Sequence, residues 1–199
     1  MSYEILKQVE EDFSKREQWY SFLELTKYKD FIRNSWLEVL KTEMNNCFAV
    51  ENVVEKWGYI SRNIWDYRWF IKDFGHESLC LLFNSQFLNL YANRNIFDIK
   101  KITSMLQEKR YIPIISAFER HDEINGEDSE YKIIEKGNFI FNENDSNDGH
   151  YNLDQIAWYA KNKTTEFVEQ IKNKINKFRM DKNITELLIE INTECKLKQ

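Results

Sequence analysis

The chain has 199 residues, 42% of them hydrophobic and 31% charged, a globular rather than a disordered composition. Its net charge of −5 and pI of about 5.4 disfavour a generic nucleic-acid binder, which carries a basic face. Three cysteines of unrelated spacing, Cys47, Cys80 and Cys195, give neither a disulfide framework nor a C-x-x-C metal or redox pair.

The charged opening from Ser2 to Lys15 is unlike a signal peptide, and no apolar run approaches the ~18 residues of a membrane span. A cytoplasmic protein with no membrane contact is the expectation. A chain of this length can bury roughly 70% of its unfolded surface, so a core is available without staples. With five Gly and one Pro, most of it should be regular structure.

Residues 1–46 read as a helical N-terminal segment. Ile5, Val9 and Phe13 step by four, and Ser14-Lys15-Arg16-Glu17 has the form of a capping box that restarts a helix. Trp19, Phe22 and Leu23 share a face. Ile32, Trp36, Leu37, Leu40 and Met44 then form one apolar stripe.

Residues 64–141 read as the sheet region. Ile64 to Ile71 is dense in aromatics and fits either strand or helix, while Ser78–Phe83 and Phe87–Tyr91 flank a turn at Asn84-Ser85-Gln86 and predict a hairpin. Asn95 is the expected cap of a helix carrying Ile96, Ile99, Ile102 and Leu106, ending near Arg110. Tyr111 to Phe118 then reads as an edge strand because of Pro113. A polar loop over 120–129 and a second short hairpin, Tyr131–Ile134 with Asn138–Phe141, complete the region.

Residues 152–197 read as C-terminal helices. Leu153, Ile156, Ala157, Ala160, Phe167, Ile171, Ile175 and Phe178 hold one face over a single long helix, and a last helix runs from Ile184 to about Lys196. The order predicts one α+β domain over 1–199, with an antiparallel sheet of 4–5 strands in a β-β-α-β-β arrangement.

No phosphate-binding, metalloprotease, hydrolase-elbow or kinase signature occurs, so no cofactor is called for. His76, His121 and His150 are too far apart for a helical metal pair. His121 sits among charges in Glu119–Glu123 and reads as a solvated loop. Asn144 to Gln155 has the outline of a calcium loop but ends on Gln155 where the bidentate Glu should be, so a turn with a helix cap is the better account. Glu130-Tyr131-Lys132 matches the E-x-K half of a PD-(D/E)XK nuclease site, with Glu119 or Asp98 as the upstream carboxylate, although such triplets recur by chance in a charged chain.

The densest aromatic cluster runs from Trp57 to Phe74. Within it Trp65, Tyr67, Arg68, Trp69, Phe70 and Arg62 form the candidate binding site, an Arg between aromatic faces being able to stack on a base or a peptide. The plainer account puts alternate residues in the core and pairs Arg68 with Asp66 or Asp73. Lys161, Lys163, Lys172, Lys174, Lys177, Arg179 and Lys182 give the long helix a basic outer side, which most often is only a solvated face.

The stretch from Trp65 to Phe178 resembles a small uncharacterised bacterial domain found fused to PD-(D/E)XK-type nucleases. The likeness rests on element order, the Asn95-Ile96-Phe97-Asp98 helix start and the aromatic-rich final helix with Trp158. It implies an accessory or recognition module, of the kind met in phage–host conflict. With no catalytic constellation and an aromatic-rich cluster on an acidic domain, the expected function is a non-enzymatic protein-binding module with a protein partner, such as an inhibitor or immunity protein. The alternatives are a metal-dependent nuclease using Glu130 and Lys132, and a structural homodimer through the long C-terminal helix.

Overall fold

The computed structural model describes residues 15–49, 55–85, 87–116 and 152–197, together with Lys7, Asp12, Phe118, Glu119, Ile134, Glu135, Phe139 and Phe141. The architecture is α+β, an antiparallel sheet with helices before and after it in the chain.

Helix α1 (Arg16–Lys27) and helix α2 (Lys29–Phe48) are separated by Tyr28 alone. Its φ of −100° and ψ of 3° stay near helical values, so the chain bends there without reversing. Lys15 occupies the N-cap of α1 with no side-chain hydrogen bond; Ser14, expected to cap, lies outside the described residues. On α2 the stripe Leu37, Leu40, Met44 and Phe48 is buried, as its spacing requires.

Four strands form a meander: β1 (Trp57–Asn63), β2 (Asp66–Ile71), β3 (Cys80–Phe83) and β4 (Leu88–Tyr91). Two strands of two residues, β5 (Phe118–Glu119) and β6 (Ile134–Glu135), extend it to the order β1-β2-β3-β4-β6-β5. The aromatic run is thus a strand hairpin, and β1 is a strand that the sequence pattern did not announce. Asn84 closes the β3–β4 turn by accepting the Phe87 N–H through Oδ1 at 2.7 Å, and Ser85 takes a φ of 67°.

The register pairs Trp69 with Leu81 and Leu81 with Leu90. Strand alternation then puts Tyr67, Trp69, Ile71, Leu81, Phe83 and Leu90 on the core face. Arg68, Phe70, Cys80, Leu82, Asn89 and Tyr91 lie on the opposite face. Trp69 meets Phe48 of α2 edge-on at 4.9 Å and Tyr59 at 5.4 Å.

After the sheet come α3 (Ile99–Leu106), a 3₁₀ turn (Lys109–Tyr111) and the single turn α4 (Ile112–Ile115). Asp98, not Asn95, caps α3, its side chain accepting the Lys101 N–H at 3.0 Å. The expected strand over Tyr111–Phe118 is largely helical, because Pro113 takes an early helical position, where its missing N–H costs nothing. Among the described residues of this stretch, Phe118 and Glu119 reach the sheet.

The expected long helix is two: α5 (Leu153–Asn162) and α6 (Thr164–Arg179), followed by α7 (Lys182–Cys195). The break is Lys163, at φ −132° and ψ 39°, whose ammonium donates to the Phe141 carbonyl at 2.6 Å. Asn152 and Gln155 form a reciprocal capping box at the start of α5, which settles Gln155 as a cap residue; residues 144–151 lie outside those described.

Helix α7 is tied to the sheet by Asn192, which is fully buried. Its Oδ1 accepts the Leu79 N–H at 2.8 Å and its Nδ2 donates to the Leu79 carbonyl at 3.1 Å. Beyond α7, the Leu197 N–H donates to the Ile96 carbonyl at 2.8 Å and Lys196 bridges to Phe97.

Candidate functional site

The six residues singled out around β2 do not form one surface. Tyr67 and Trp69 are fully buried on the core face, so neither can stack on a ligand. The physical reason is the strand period: alternate residues of an amphipathic strand must take opposite faces, and the larger rings fill the core. Trp65 sits half-buried in the β1–β2 turn, its backbone N–H donating to Asn63 Oδ1, with the Arg33 guanidinium 5.9 Å from its ring.

Arg68, on the other face, is only 3% exposed and anchors an ion network. It donates to both carboxylate oxygens of Asp66 at 2.7 and 2.8 Å, to the His76 carbonyl at 2.9 Å, and lies 3.0 Å from Glu77. Its guanidinium also rests 4.0 Å over the Tyr91 ring. Glu77 is held further by Arg62 at 3.1 Å, by the Tyr91 hydroxyl at 2.7 Å and by Asn93 at 3.0 Å.

Burial opposes the ionisation of Glu77, but the hydrogen bonds from Asn93 and Tyr91 and the charges of Arg68 and Arg62 outweigh it and hold the carboxyl below its usual range. For Arg68 burial likewise opposes the charge, and the Asp66 carboxylate overcomes it and raises the pKa. Phe70 covers this network beside Cys80, Leu82 and Tyr91, with its ring against Gly58 and edge-on to His76. Every strong donor and acceptor here already has a partner, so the cluster has the character of a brace and not of a vacant site.

The basic outer side expected of the C-terminal helices is partly turned inward. Arg179 is buried, 5.2 Å over Phe48 and bound to Asn176, while Lys174 lies 5.6 Å over Phe139. Glu130, Lys132 and His121 lie outside the described residues, as does the side chain of Glu119; Asp98 caps a helix. Among the described residues no group of three or more His, Cys, Asp or Glu could hold a metal ion, and no helix is long and apolar enough to cross a membrane.

The surface that does stand out includes the helix face that Trp19, Phe22 and Leu23 share. Helix α1 buries no residue at all, although it carries Trp19, Tyr20, Phe22, Leu23 and Leu25. Leu25 is 62% exposed and Phe31, at the start of α2, 75%. Trp158 of α5 is also exposed.

Phe22, Leu25, Ile32 and Trp36 recur at helical spacing across the Tyr28 bend and, with Ala157 of α5, line an apolar groove of about 330 Å³. Ile32 and Trp36 are half-buried and, with Ala157, form the α2–α5 side of the groove. Lys29, Arg33 and Asp154 rim the groove, with Asp154 2.5 Å from Lys29 and 3.4 Å from Arg33. The Lys29 hydrogen bond holds the Asp154 carboxyl below its usual range.

One sequence signal could have found this surface. Tyr20 and Phe31 fall outside the stripe that Trp19, Phe22, Leu25, Ile32 and Trp36 define, and a helix apolar on more than one side needs more than one neighbour. No protein-family model matches the chain, and neither the curated proteins nor the solved structures give a match.

Proposed function

We propose that this chain is a non-enzymatic protein-binding module, and that it binds through the apolar face of α1, the start of α2 and the edge of α5, not through the β2 cluster. The observation that carries the reading is α1 itself: twelve residues, five of them large and apolar, with none buried. Contiguous apolar surface of this extent marks interaction sites in water-soluble proteins. Aromatic anchors around a groove are the usual source of binding energy in such contacts.

A photo-crosslinking residue in place of Leu23, compared with one in place of Lys100 on α3, tests the reading in living cells. A protein adduct at position 23 and none at position 100 is the expected result. An absence of adducts at position 23, in a protein confirmed to be folded, refutes it.

A further inference from the structure

We draw no further inference here: the strongest candidate, the polar pocket where the start of β1 meets the α6–α7 corner, lined by Lys56, Trp57, Arg179, Lys182 and Thr185, adjoins in the chain residues 50–54, which lie outside those described, so nothing in the structure shows what covers it.

Discussion

Replacing Arg68 by Met tests whether the ion network on the outer face of the sheet is structural. The substitution roughly keeps the length of the stem and removes the guanidinium, which makes three hydrogen bonds on a residue that is 3% exposed. Breaking a fully buried pair by deleting one partner costs about 3–5 kcal/mol. Here the two carboxylates left behind are not fully buried, with Asp66 side-chain exposure at 18% and Glu77 at 25%, so water can reach them and relieve part of that cost. An expected loss of about 2–3 kcal/mol follows, to which the stacking on Tyr91 contributes about 0.5–1. Arg68→Lys should recover little, since an ammonium cannot bind both oxygens of Asp66 at once. Urea unfolding of Arg68→Met, Asp66→Asn and the double variant gives the coupling directly, with an expected interaction of at least about 1 kcal/mol. A loss below about 0.5 kcal/mol in Arg68→Met would show that the network holds nothing together.

Asn192→Leu should cost about 2–5 kcal/mol, because it strands the buried N–H and carbonyl of Leu79 together; an unchanged urea midpoint would contradict the described clamp. The depressed pKa of Glu77 makes its contribution to stability fully present above the ordinary carboxylate value near 4.3 and lost as pH falls through the lower, folded-state value. Glu77→Gln should therefore flatten the acid limb of the stability curve, which a titration of unfolding free energy from neutral to about pH 3 will read. Alkylation of the native protein should reach the half-buried Cys47 first. Cys195 should be the slow site, since burial pushes its thiol up to about 11, and peptide mapping after partial reaction checks the order.

How much was legible beforehand depends on whether the signal was local. The α2 stripe and the turn at Asn84 are visible because helical period and an Asn side chain act over a few residues. The break at Lys163 was not, because the apolar stripe continues in phase across it, from Ala160 to Phe167, and the interruption lies in the backbone. The segment around Pro113 was misread because an Ile-Pro-Ile-Ile run fits an edge strand and a helical first turn equally well. The site was the hardest part. Trp69 and Trp19 are the same residue type in equally aromatic surroundings, yet one fills the core and the other faces water. Only tertiary packing distinguishes them, and nothing in a single sequence states how deeply each ring is buried.

The clamp at Asn192 also sets an order of events. Leu79 and Asn192 are 113 positions apart, and the bond from Leu197 to Ile96 spans a similar distance. During synthesis the β3–β4 hairpin leaves the ribosome long before its fastening does. Until residue 197 emerges, Leu79 and the start of α3 lack the groups that close them, and the meander waits with its core face open. A chain stalled short of that point should be recognised by proteases and chaperones as unfinished, however complete its sheet.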